Sequence, residues 1–223
     1  MGKLPQVSPI DEHFVSLYNS YILVNSEETP VYKVCNTPRT MKVQHEYIKC
    51  LFYLMEEKPY HEISIQNICD RANGSRRSFY RYFKNKDACL YALLDQVITR
   101  FYIFKIPDEL KRDGYPDEML AFLHYHQERR AFYDILLANN LFDVHVERDL
   151  KFAKENRPYS LQWFGIPEGP YSEDALTFYL HGIMALIKHW HLTDYERSIY
   201  EMCDSVCQLI AGDWAVSMNK KLK

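Results

Sequence analysis

The sequence predicts an all-α chain in which a small three-helix head, built around a helix-turn-helix, precedes a larger helical body. Three observations carry the prediction. Apolar residues recur at three- and four-residue spacing through most of the chain from Val43 onward. Glycine is scarce, 7 in 223 residues, while hydrophobic residues make up 47% and aromatic residues 15%; this disfavours a turn-rich β fold and supplies a sizeable core. Charge is split: Arg39 to Lys86 holds ten Lys and Arg against five Asp and Glu, which leaves 17 against 25 for the rest of a chain of net charge −3. A basic head on an acidic body is the electrostatic footprint of a protein that meets nucleic acid with one end.

Residues 1–38 carry four prolines and no sustained period, and form an N-terminal extension without an assigned role. Its apolar patch from His13 to Val24 is expected to pack on the body as a short helix or strand. Thr37 or Thr40 caps the first long helix, where Val43, Tyr47, Ile48, Leu51, Phe52 and Leu54 make the core stripe until Pro59 stops it. Ser64 caps the second helix, with Ile65, Ile68 and Ala72 on one face. Asn73 and Gly74 tolerate the left-handed backbone that ends a helix, and Ser75 caps the third. There Phe79 and Phe83 face inward, which spreads Arg76, Arg77, Ser78, Tyr80, Arg81 and Tyr82 over the remaining surface. A fourth helix runs from Asp87 through Leu90, Leu93, Leu94, Val97, Ile98 and Phe101 until Pro107.

In the body, Pro116 to Asn139 and Phe142 to about Ala153 are helical in pattern. Arg157 to Pro170, with Gly165, Gly169 and three prolines, reads as a loop. Ser172, with Glu173 and Asp174 in its first turn, starts a helix that runs to about His191; Thr193 caps the last, running to about Val216. Both closing helices are apolar over much of their circumference, and Gly182 and Ala185 leave room for a second helix to approach. The head is thus assigned to residues 39–86 and a larger helical body to 87–223.

Duplex recognition divides labour between groups that hold phosphates and a few side chains that reach base edges, with arginine at the front of a helix suited to the major groove. Arg76 and Arg77 occupy that front. The stretch SRRSFYRYFKNKDACLYALL resembles the recognition helix and following helix of TetR-family transcriptional regulators, matching at Ser75, Ser78, Phe79, Tyr80, Phe83, Lys86, Asp87 and Leu90. IKCLFYLMEEKPYHEISIQNICDRA is similar to the family's first two helices. The chain departs at the turn, where Ala72, Asn73 and Gly74 stand for the usual Ala-Gly-Val. Asn73 is therefore expected to take the left-handed position. HGIMALIKHW resembles the regulatory domain of the subgroup that includes dihydroxyacetone kinase regulators.

The resemblance implies DNA-binding roles residue by residue. Gln66, Arg76 and Arg77 become base-edge candidates; Ser64, Ser78, Tyr80, Tyr82 and Lys86 become phosphate contacts, with Ser75 and Arg81 on the same surface. It also implies a homodimer through the two C-terminal helices, double-stranded DNA with an inverted repeat as partner, and an unidentified small-molecule inducer that releases a repressor. Candidates to line its pocket are Tyr125, His126, Phe132, Tyr133, Trp163, Phe178, His181 and Met184, with core packing the favoured reading for any single one.

Other classes find less support. There is no GxSxG, Walker, dinucleotide or HExxH motif, so no catalytic residue or cofactor is expected. His124, His126, His189 and His191 stand two apart in pairs, which points their side chains away from each other on a helix, so no metal is expected. Cys35, Cys50, Cys69, Cys89, Cys203 and Cys207 form no CxxC pair and read as reduced, mostly buried thiols. No signal peptide and no apolar run near the length of a membrane span is visible, so a cytoplasmic location without membrane contact is expected. The alternatives are a coregulator that keeps the fold but acts through a protein partner, and an enzyme with an accessory DNA-binding head.

Overall fold

The computed structural model describes residues 32–101 and 104–210. The patch from His13 to Val24 and the expected final turns toward Val216 lie outside them. The described residues form ten α-helices and two 3-10 turns with no strand, only one isolated bridge between Tyr32 and Phe83. The helices are α1 Pro38–Glu57, α2 Ile65–Arg71, α3 Arg76–Phe79, α4 Lys86–Phe101, α5 Asp117–Gln127, α6 Arg130–Ala138, α7 Phe142–Glu155, α8 Arg157–Phe164, α9 Ser172–Leu192 and α10 Ile199–Ile210.

Packing divides the chain into two compact units, residues 1–103 with 131–149, and residues 104–130 with 150–223. The segment 39–86 lies within the first unit. The core of that unit draws on more than these three helices. α1 packs on α2 and α4, burying Tyr47, Ile48, Leu51, Phe52 and Met55 with Ile68, Phe79, Phe83, Leu90 and Leu94. Phe132 of α6 completes it by stacking on Phe52 at 6.2 Å between ring centroids.

Asp95 and Gln44, two buried polar groups of this unit, are paired, as their desolvation demands. Asp95 of α4, 4% exposed, accepts from Arg148 of α7 and from the Tyr32 hydroxyl. The Tyr32–Cys35 segment lies against the head. Lys33 N–H donates to Tyr82 C=O at 2.8 Å, and Gln44 Nε2 donates to Lys33 C=O at 2.7 Å. So part of the N-terminal extension belongs to the first unit's core.

In the second unit α5 packs on α9 and α10, and α9 on α8. Trp190 is fully buried, with its indole N–H donating to Arg197 C=O at 2.8 Å. Three sequence expectations change here. The stretch from Pro116 to Asn139 is two helices, broken where the Arg129 guanidinium folds back onto Tyr125 C=O at 2.9 Å and over its ring. The loop expected from Arg157 to Pro170 contains α8: Pro158 stands in its first turn, where no amide donor is needed, and Gly165 ends it at φ 65. Thr193 closes α9 instead of opening the last helix, whose cap is Ser198; Glu201 N–H donates to Ser198 Oγ while Glu201 Oε2 accepts from Ser198 N–H at 2.8 Å.

All six cysteines are free thiols, and all but Cys207 are buried. Among the described residues no helix is long and apolar enough to cross a membrane.

Candidate nucleic-acid interface

The two short helices of the motif are shaped by local chemistry. Ser64 and Asn67 form a reciprocal capping box at the start of α2, and Lys58 Nζ also donates to Asn67 Oδ1 at 2.8 Å. α2 ends with Gly74 N–H donating to Cys69 C=O at 2.9 Å while Asn73 sits at φ 47, so Asn73 takes the left-handed position as expected. Gly74 has a different reason to be glycine. A Cβ there would lie 2.3 Å from Tyr47 Oη and 2.9 Å from Tyr47 Cζ. The Tyr47 ring is wedged under the turn against Phe79, at 5.5 Å between centroids, Tyr82 and Phe83, and fills the space an aliphatic turn residue would take.

Ser75 caps α3 by accepting from Ser78 N–H at 3.1 Å. Only Arg76–Phe79 is regular α-helix, and turns carry the chain to Phe83. Phe79 and Phe83 are buried, which presents Arg76, Arg77, Tyr80 and Arg81 to solvent on one short element, beside exposed Gln66 on α2. Tyr80 is 49% exposed, and its hydroxyl beside Arg76 raises the Arg76 guanidinium pKa further. Gln66 Nε2 donates to Asp70 Oδ1 at 2.7 Å.

The other sequence-read residues sit less freely. The Ser64 and Ser75 hydroxyls are committed to caps, and Ser78 is half-buried beside Tyr47. Tyr82 requires a correction. Placed on the exposed face by sequence, it is 7% exposed with its ring toward Tyr47, because the turn after Phe79 rotates it off the helical face and into the core. Lys86 opens α4, half-buried, with Nζ donating to Tyr60 C=O at 2.6 Å and lying 4.1 Å above the Tyr60 ring; burial lowers its pKa. Asn85 was missed by sequence reading. Its Oδ1 accepts from Ala88 N–H at 2.8 Å and caps α4, a signal legible in an Asn three residues before a free helix amide.

The eight pocket candidates are spread over the two units. Phe132 and Tyr133 are buried in the first unit, Tyr125, His126 and Met184 are buried in the second, and Phe178 is 75% exposed. His181 is half-buried, with Nδ1 at 2.9 Å from Thr177 C=O. Trp163 lines a cavity of about 560 Å³ in the second unit, together with Met119, Tyr159, Gln162, Phe164 and Cys207. Among the described residues no group of three or more His, Cys, Asp or Glu is placed to hold a metal ion.

A capped two-helix motif with an exposed arginine face, braced by a longer helix on each side, defines a helix-turn-helix head. Residues 52–93, from within α1 through α2 and α3 into α4, match the family described as bacterial regulatory proteins, tetR family. The chain is 30% identical over 98 residues to the dhaKLM operon transcriptional activator DhaS of Lactococcus lactis, covering 44% of this chain and 50% of that protein; this supports the likeness to the dihydroxyacetone kinase regulator group. It is 26% identical over 148 residues to the uncharacterized regulator YuxN of Bacillus subtilis (61% of this chain, 50% of that one). It is 40% identical over 47 residues to the regulator EthR of Mycobacterium tuberculosis (21% and 22%). The matches thus span about half the length of DhaS and of YuxN. The fatty acid degradation regulator FadR from Bacillus halodurans shares the fold at a TM-score of 0.50 and 15% identity, covering 80% of this chain and 97% of that one. These relatives are transcriptional regulators.

Proposed function

We propose that the chain is a homodimeric, sequence-specific regulator of transcription that docks Ser75–Phe83 in the major groove of each half of an inverted-repeat operator. The observation that carries the reading is the exposed surface of Arg76, Arg77, Tyr80 and Arg81 on a base of buried Phe79 and Phe83. Arginine offers paired donors to guanine, and the cationic surround releases counterions from the phosphates. A dimer through α9 and α10 is supported by the outer face of α9, where Phe178, Gly182, Ala185 and Leu192 are all exposed and a Cβ at Gly182 would meet nothing within 4 Å. Its place of action is the cytoplasm, where the operator is.

Small-molecule control is supported by the cavity lined by Met119, Tyr159 and Trp163. A ligand that binds better to one of two states of the protein shifts the population between them and so changes operator affinity. Release of a repressor by an inducer is the first reading of that control. Activation is the second, favoured by the name of DhaS, a transcriptional activator.

The test is selection from a random duplex library by the purified protein, followed by salt titration of the winner. An enriched inverted repeat with steeply salt-dependent affinity is expected. A folded dimer that enriches nothing overturns the DNA-binding reading in favour of a coregulator that works through a partner.

A further inference from the structure

α6 ends at Ala138, and the next side chain, Asn139, reaches across the first unit. Its Oδ1 accepts from Tyr60 N–H at 2.6 Å, while its Nδ2 donates to Met55 C=O at 3.2 Å and to Ile135 C=O at 2.8 Å. Met55 C=O lies in the last turn of α1 and Tyr60 N–H at the start of a 3-10 turn, positions that secondary structure leaves without partners. One amide therefore caps both.

Tyr60 passes this placement on to the start of α4. Its carbonyl accepts from Lys86 Nζ at 2.6 Å, its ring lies 4.1 Å below the same ammonium, and its hydroxyl donates to Asp87 Oδ1 at 2.5 Å. Every polar group of Tyr60 is thus engaged, with Asn139 on one side and the first two residues of α4 on the other. Lys86 keeps further N–H donors beyond the one given to Tyr60. Without Tyr60 its ammonium would range over the rotamers of a four-carbon stem, and each rotamer lost on binding costs affinity.

We propose that Asn139 is a positioning residue for DNA binding: by holding Tyr60 it aims the Lys86 ammonium at a backbone phosphate, so that the segment 131–149 sets how firmly the head grips the duplex. This rests on the DNA-binding reading above. It assigns to α6 and the following turn a task in the head, which neither the recognition surface nor the cavity accounts for.

The experiment measures affinity for the enriched duplex against salt concentration for the full-length protein and for Lys86→Met, Asn139→Ala, their double variant and Asn139→Asp. Lys86→Met is expected to weaken binding to all sequences and to lower the salt slope by about one unit. Asn139→Ala should weaken binding roughly fivefold and lower the slope toward that of Lys86→Met, yet change affinity less than twofold when added to Lys86→Met, since a lost ammonium cannot be mispositioned. Asn139→Asp keeps the acceptor for Tyr60 N–H and should keep the slope, which also guards against an Asn139→Ala protein that does not fold. Asn139→Ala effects that multiply with those of Lys86→Met, or a folded Asn139→Asp with the slope of Lys86→Met, overturn the proposal. Failure of the unaltered protein to bind any duplex with salt dependence overturns the reading beneath it.

Discussion

Arg148 of α7 clasps Asp95 of α4 with two guanidinium N–H groups, Nε to Oδ1 at 2.9 Å and Nη2 to Oδ2, deep in the first unit. Asp95 also accepts from the Tyr32 hydroxyl, and the guanidinium lies 5.0 Å from the centre of the Tyr91 ring. A bidentate pair this buried fixes two helices in one register, because neither charge can be left in the core alone. Removing one partner by Arg148→Ala should cost about 3 kcal/mol or more in denaturant unfolding. Asp95→Asn with Arg148→Met, which keeps an acceptor for Tyr32 and removes both charges, should recover most of it. A double variant as unstable as the single one would show that the pair does more than neutralise itself.

The Gly74 turn tolerates no side chain. Gly74→Ala places a methyl 2.3 Å from Tyr47 Oη, and the ring cannot retreat from Phe79, Tyr82 and Phe83. About 1 to 3 kcal/mol of overpacking should appear in thermal unfolding. Tyr47→Phe removes the clashing oxygen and should restore part of the stability. Equal stability of Gly74→Ala and the unaltered protein would place Tyr47 elsewhere than under the turn.

Arg76 stands at the front of α3 and should read sequence. In competition binding, Arg76→Ala should reduce preference for the selected operator over a single-base variant roughly tenfold, while the same change at Arg81 should weaken both duplexes alike. Unchanged preference in Arg76→Ala would remove α3 from the recognition role.

His126, 3% exposed, has its pKa lowered to about 4, chiefly by burial and further by the Arg129 charge, against a hydrogen bond between Nδ1 and Phe122 C=O. The folded protein keeps it neutral while the unfolded chain takes up a proton below about 6.5, its ordinary value. Stability is therefore lost as pH falls from about 6.5 to about 4, up to about 3 kcal/mol from this residue. His126→Gln, which can still donate to Phe122, should flatten that slope in denaturation midpoints measured across the window. A variant with the unaltered pH profile would assign the acid sensitivity to other groups.

Much of the head was legible because its signals are local. A cap, an apolar stripe at helical spacing and a turn residue act within a few positions, so Ser64, Asn73 and Ser75 take the expected places. The body was harder to read. Pro158 and Gly165 look like loop residues, yet each is allowed at one end of a helix, and only packing shows that Ser160, Leu161 and Phe164 are buried between them. Thr193 and Ser198 are equally good caps by composition, and the capping box with Glu201 decides for Ser198.

By itself the sequence determined the all-helical class, the helix-turn-helix, its arginine face and the αL turn at Asn73, since each depends on neighbours a few residues away. Tertiary structure alone decided that Tyr82 goes inward, that Gly74 is needed for Tyr47, that Lys86 leans on Tyr60, that Asn139 is joined to the head, and that Arg148 is joined to α4. Asn139 and Tyr60 stand 79 positions apart, and Arg148 and Asp95 stand 53 apart. Periodicity reports which side of a helix is apolar. It carries no information about which distant polar group will satisfy a buried carboxylate or an orphaned helix end, because that partner is chosen by the cost of desolvation once the chain has closed.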